Sequence, residues 1–274
     1  MKSLIILVLS SVLMFNTVNV NAKSSMLRVG VVTGSSPAYK LPFAGKGHFG
    51  QYNGIAVKLW KHVAKKNGYQ YKFIQIKSNY KKAINDLSAG KYDVLVGAIS
   101  VTSERKRIVD FSRSFFDNEV AIAMNSSHEN LPIIGKILAN EELLLTIFKD
   151  KRLSVAKNTS TEILAKEISN LVLPEKSLYA AMVKLAYNKT TAVIGDRVMM
   201  GVVLDKNRKW RFEVFSKAIK SEGYAFVLPF KSPLLKKINM TLDKLTTGKW
   251  REMCKAYDPF VPKSMKFSNH CKIR

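Results

Sequence analysis

The sequence predicts an α/β protein made of two doubly wound units. Three observations carry that expectation. Apolar, β-branched runs of strand length alternate with helix-period segments from Met26 to Val96, in the order β-α-β-α-β. A second alternation of the same kind runs from about Leu131 to Phe215. The chain has 274 residues, 47% of them hydrophobic, enough to bury one large core or two small ones.

Each element has a local cause. Met26 to Val32 is a short apolar strand, and Thr33 to Pro37 is turn chemistry. Gly45 to Gly50 satisfies G-x-G-x-x-G, but a Pro-containing loop precedes it, so it reads as a flexible loop and not a nucleotide site. A helix opens near Ile55, with Ile55, Leu59 and Val63 on one face, and Gly68 is its stop. Tyr69 to Ile76 alternates as a strand. Tyr80 to Ser88 is a helix that turns Ala83, Ile84 and Leu87 inward, and Val94 to Val96 is a buried strand. Glu119 to Met124 is a further strand, and the polar break after it is where the first crossing between units is expected. In the second unit, strands are predicted at Leu153 to Ala156 and Thr191 to Ile194, with helices from Glu162, around Leu178 to Tyr187 and from Val198 to Leu204. Gly223 to Leu228 reads as one strand crossing back, followed by a helix from Leu234 to Thr246.

The N-terminus has the anatomy of a secretory leader. Lys2 precedes an apolar run from Leu4 to Phe15, and Val20-Asn21-Ala22 offers a small-x-small cleavage site. Residues 1–22 are therefore expected to be removed, leaving a periplasmic or extracellular chain. Residues 23–124 plus 224–274 are assigned to one lobe and 125–223 to the other. Cys254 and Cys271 lie close together near the C-terminus, and in an oxidising compartment they are a candidate disulfide. The four histidines are scattered and suggest no metal site, and no cofactor motif is present.

The net charge is +25, with 45 Lys and Arg against 20 Asp and Glu. The lysines are spread along the whole chain and no nucleic-acid module accompanies them, which excludes nucleic acid as the expected partner. Three readings stay open: attraction to anionic membrane surfaces, attraction of an acidic ligand, or a basic composition without a role of its own.

The stretch from Gly90 to Ser114 organises the chain. Val94-Leu95-Val96 runs through Gly97-Ala98 into the polar turn Ser100-Val101-Thr102-Ser103-Glu104-Arg105, and Val109-Asp110-Phe111-Ser112 follows. Ligands of open α/β sheets settle beyond the carboxyl ends of the strands. There, Ser100, Thr102 and Arg105 can hold a carboxylate, hydroxyls donating and the guanidinium clamping it. Taken alone, Arg105 reads as one of many solvated basic residues in a cationic chain. The composite Gly90-Lys91-Tyr92-Asp93, Ser100-Val101-Thr102-x-Glu104-Arg105 and Val109-Asp110-Phe111-Ser112 resembles the signature of bacterial extracellular solute-binding proteins of family 3.

That resemblance implies a type II periplasmic-binding-protein-like fold, with two lobes joined by two crossing strands and closing over an α-amino acid. It implies that Arg105 clamps the ligand carboxylate, that Ser100 assists it, and that Ala98 offers a carbonyl to the ammonium. Thr159 and Ser160 match the polar turn at a helix start in the second lobe, a turn that by itself is also a plain helix cap. Asp196 matches the acid that pairs with the ammonium, its alternative being a surface salt bridge with Arg197. Tyr52 and Phe43 match positions where an aromatic ring covers the ligand. An ABC-type permease is the implied partner of a monomer, and the protein is expected to be a binder and not an enzyme. The alternatives are a dehydratase of carboxylated cyclohexadienes on the same fold, for which no cleft glutamate is expected, and a sensing module. The basic balance favours an acidic or polar ligand.

Overall fold

β-branched runs become strands buried on both faces, and amphipathic segments become the helices that cover them. The structure, a computed structural model, describes residues 26–33, 43–46, 51–77, 79–127, 141–215 and 218–274. The leader expected at residues 1–22 lies outside the described residues, as do 47–50 and 131–140.

The first unit starts with β1 (Leu27–Thr33), followed by β2 (Gly45–Lys46) and β3 (Tyr52–Asn53), which pair antiparallel. Gly45 and Lys46, read as loop in the sequence, are thus a strand of this small hairpin. Then come α1 (Ile55–Asn67), β4 (Tyr71–Lys77), α2 (Tyr80–Ser88), β5 (Val94–Val96) and β6 (Val109–Phe111). α1 buries Ile55, Leu59, Trp60 and Val63 completely and ends at Gly68 in the left-handed region. Its start is set by Gly54, at φ 118. A Cβ there would lie 2.4 Å from the Phe43 carbonyl oxygen, which accepts the Ala56 N–H at 3.1 Å. Only glycine allows that approach, and the approach seats Phe43.

The second unit holds β7 (Phe116–Asn125), α3 (Glu141–Phe148), β8 (Leu153–Ala156), α4 (Ser160–Ile168), β9 (Val172–Glu175) and α5 (Leu178–Ala186). β10 (Ala192–Asp196), α6 (Arg197–Lys206), β11 (Phe212–Val214) and β12 (Lys220–Tyr224) complete it. The chain returns through β13 (Val227–Pro229), α7 (Leu234–Asp243) and α8 (Thr247–Lys255).

Sheet one has the order β4-β1-β5-β13-β6, and sheet two the order β11-β7-β10-β8-β9 with β12 also on β7. β1 runs parallel to β4 and β5, while β13 is antiparallel to both β5 and β6. Two expectations need correction. β7 pairs with β10, β11 and β12, so residues 116–124 belong to the second unit and the first crossing falls at residues 112–115. The segment 223–228 is not one strand: it breaks at Ala225-Phe226, with β12 in sheet two and β13 in sheet one. An apolar run identifies a strand but not the sheet it joins.

The two crossings are bonded to each other. The Ser112 N–H donates to Phe226 O at 3.0 Å, the Phe115 N–H to Tyr224 O at 2.8 Å, and the Phe226 N–H to Ser112 Oγ at 3.0 Å. Around them Phe43 sets its ring edge-on to Phe116 and Tyr224, at 4.7 and 4.9 Å between centroids. Cys254 and Cys271 are joined, with sulfurs 2.10 Å apart, and both are buried. Ser114 and Arg274 exchange N–H···O bonds at 2.9 Å in both directions. Residues 258–265 lie against α6: a Cβ on Gly201 would be 2.6 Å from Met265 Sδ and 3.0 Å from Pro262 Cδ.

Candidate ligand-binding cleft

The carboxyl ends of β5 and β10 face one cavity of about 130 Å³. It is close in size to cavities of ~150 Å³ that accept a benzene ring. Phe43, Tyr80, Ala98, Ser100 and Arg105 line it from the first unit, and Ala156, Thr159, Ser160, Leu178, Gly195, Asp196 and Met199 from the second.

β5 ends at Val96, and the chain descends through Ala98 to Ser100, which bridges to Tyr224. Thr102 Oγ1 accepts the Arg105 N–H at 3.2 Å and starts a single 3-10 turn at Arg105–Arg107. The Arg105 guanidinium turns back and donates from Nη1 to Ser100 O at 2.8 Å. Burial lowers its pKa, while the charges of Glu222, Tyr80, Glu104 and Asp196 oppose that shift. A half-buried cation held by one carbonyl keeps donors free for an anion.

On the other wall, Asp196 ends β10 where α6 begins. Its Oδ1 accepts from Asn118 Nδ2 at 2.7 Å and its Oδ2 from the Tyr224 hydroxyl at 2.6 Å. Burial pushes this carboxyl up from its ordinary value, and the nearby charge of Glu222 adds to the rise. The two hydrogen bonds and Arg105 pull the other way. An ammonium in the cavity would supply the positive charge that Asp196 lacks. Arg197, the alternative partner of Asp196, pairs with Glu119, while Asp196 is held by Asn118 and Tyr224.

The turn at 158–160 is a helix cap built with side chains. Asn158 takes the left-handed conformation at φ 60, which asparagine tolerates. Thr159 Oγ1 accepts the Glu162 N–H at 3.3 Å and donates to Ala156 O at 2.6 Å. Glu162 reaches back to the Asn158 N–H at 2.6 Å. Ser160 lines the cavity, and its hydroxyl donates to Glu222 at 2.8 Å.

Seven of the nine sequence-predicted residues therefore meet at the cavity: Phe43, Ala98, Ser100, Arg105, Thr159, Ser160 and Asp196. Thr102 does not line it, because its hydroxyl caps the turn that carries Arg105. Nor does Tyr52. It sits on β3 with its ring 5.2 Å from Phe73, and both pack against the core of the first unit. Phe43 lines the cavity but is only 2% exposed, as much core as lid. Sequence reasoning missed Tyr80, which opens α2 after the Asn79 cap just beyond β4. Its position at the carboxyl end of a strand was the available signal. Burial raises the Tyr80 hydroxyl to about 12, so it stays a neutral donor. Sequence reasoning also did not single out Glu222, which is buried behind Ser160 without lining the cavity, 3.5 Å from Lys220 Nζ.

Two α/β units that exchange the chain twice, with a cation from one and an anion from the other on a small shared cavity, define a two-lobed ligand-binding protein. The chain belongs to the bacterial extracellular solute-binding proteins, family 3, which it matches over residues 29–259. It is 25% identical over 229 residues to a probable histidine-binding protein of Campylobacter jejuni, covering 82% of this chain and 83% of that one. It is also 25% identical over 214 residues to an ABC transporter glutamine-binding protein of Bacillus subtilis, covering 76% and 73%. The arginine-, lysine-, histidine-binding protein ArtJ of Geobacillus stearothermophilus shares its fold at a TM-score of 0.68, with 22% identity over 87% of this chain and 97% of that one.

Proposed function

We propose that this protein captures a free α-amino acid with a polar or acidic side chain by closing its two units, and delivers it to an ABC-type permease. The observation that carries this reading is the placement of Arg105 and Asp196 on opposite walls of one cavity. Opposite charges from two units suit the carboxylate and ammonium of a zwitterion, and the crossings at 112–115 and 225–226 supply a hinge. The remaining charged groups on the cavity wall are Lys157 and Lys176, and among the described residues no second acid lines it, Glu222 lying behind Ser160. A cationic side chain would meet cations there, whereas an amide or carboxylate would meet donors. Removal of the N-terminal leader, release into the periplasm, monomeric state and a binding rather than catalytic role belong to the same reading.

A thermal-shift panel of glutamate, aspartate, glutamine, histidine, arginine and lysine tests it. A ligand at about 100 times its Kd adds ~2.7 kcal/mol of stability. We expect a response to glutamate, aspartate or glutamine that disappears in Arg105→Ala. A response confined to arginine and lysine overturns the charge argument. Silence toward every amino acid overturns capture itself.

A further inference from the structure

α1, α7 and α8 enclose a second concavity, a groove of about 680 Å³ that shares no residue with the ligand cavity. Lys66 and His62 reach it from α1, Lys237 from α7, Lys244 from the end of α7 and Lys249 from α8. No acid lines it. α1 contains no acidic residue at all. The single acid of α7, Asp243, pairs with Arg113 at 3.1 Å, and the single acid of α8, Glu252, pairs with Lys255 at 2.6 Å. Among the described residues none of the four groove lysines has an acidic partner. The remaining polar groups are spent inside the protein. Asn67 Nδ2 donates to Val63 O and to Thr241 Oγ1 at 2.9 and 2.8 Å, and the Thr241 hydroxyl donates to Lys237 O at 3.0 Å.

Four ammonium groups drawn from three helices onto one concave face repel one another, and an anionic surface relieves that repulsion. The cations are all lysine. Lysine is a flexible point charge, whereas arginine forks hold carboxylates in fixed geometry, so the groove suits mobile anions more than a rigid acidic protein patch. Met240, 50% exposed, sits among the lysines and offers apolar contact at the depth of a headgroup layer. We propose that this groove docks the protein on a membrane surface through the phosphate headgroups of anionic lipids.

Co-sedimentation of the purified protein with vesicles tests the proposal, using phosphatidylcholine with 30% phosphatidylglycerol against phosphatidylcholine alone. Each lysine near such a surface is worth roughly a fivefold change in affinity. The triple variant Lys237→Gln, Lys244→Gln, Lys249→Gln should therefore bind the anionic vesicles on the order of a hundredfold more weakly. A control triple, Lys189→Gln, Lys206→Gln, Lys209→Gln, removes the same charge from the other unit and should lose less than fivefold. All six side chains are exposed, so both triples should keep the parent melting temperature. Equal losses in the two triples would assign the effect to net charge and overturn the groove. Absence of binding to anionic vesicles would also overturn it. So would poly-glutamate capture that depends on the groove lysines without vesicle binding, which would point to an acidic protein partner.

Discussion

The ligand cavity and the lysine groove are both concave and both charged, but burial separates what they can do. In the cavity, Arg105 and Asp196 are half-buried, and each is held in place by neighbours: Ser100 O for the cation, Asn118 and Tyr224 for the anion. Charges kept there must come in both signs, since an isolated buried charge costs several kcal/mol. In the groove the lysines are exposed, carry one sign and lack fixed partners. Water and salt tolerate that arrangement. The first geometry selects a molecule by the position of its charges; the second responds to the density of charge on a surface.

The comparison breaks most visibly at Arg105. Arg105→Ala should weaken binding of the responding amino acid by about 2–5 kcal/mol, since it strands a buried anion. Calorimetry that finds less than ~1 kcal/mol would put the two concavities on an equal footing.

Asp196→Asn should cost less, about 1.5–3 kcal/mol of affinity, the range of hydrogen bonds to charged groups. It should also change the pH dependence. Burial raises Asp196 in the ligand-free protein. Its contribution to folding is therefore fully present below the unfolded value of about 3.9 and is lost as pH rises through the raised value. A bound ammonium reverses the preference and favours the carboxylate. Acidification through the raised range should thus weaken ligand binding in the parent and leave Asp196→Asn flat. Equal slopes in the two proteins would remove Asp196 from the ammonium.

The smallest effect expected in the cavity is that of salt. The Debye length falls from ~10 Å at 0.1 M to ~3 Å at 1 M, which should abolish vesicle binding through the groove while changing amino acid affinity less than about threefold. A cavity as salt-sensitive as the groove would mean that its charges are open to water.

Much of this was legible in the sequence because the causes were local. α1 and α2 show in the spacing of Ile55, Leu59, Val63 and of Ala83, Ile84, Leu87, and the end of α1 shows in Gly68. Arg105 and Asp196 follow apolar strands, so their placement needed only the rule that ligands gather at strand carboxyl ends. What stayed hidden was long-range. The partners of Asp196 lie 78 and 28 residues away, at Asn118 and Tyr224. Glu222 is buried because Ser160, 62 residues earlier, folds onto it. β9 carries Pro174 and short flanks, which mask an edge strand paired only with β8. Tyr52 misled because an aromatic near the first helix reads the same whether it faces a cavity or Phe73.

β13 lies between β5 and β6, and this position dictates an order of assembly. Synthesis delivers β5 and β6 before any of the second unit, and β5 can pair at once with β1, yet its other edge and the whole of β6 have no partner in sheet one until Val227–Pro229 has been made. Residues 116–224, by contrast, hold every strand of sheet two in one continuous stretch. That inserted unit can complete its ladders while the edge of β5 still waits, with its N–H and C=O groups open to other strands. The half of the protein that is made first is finished last.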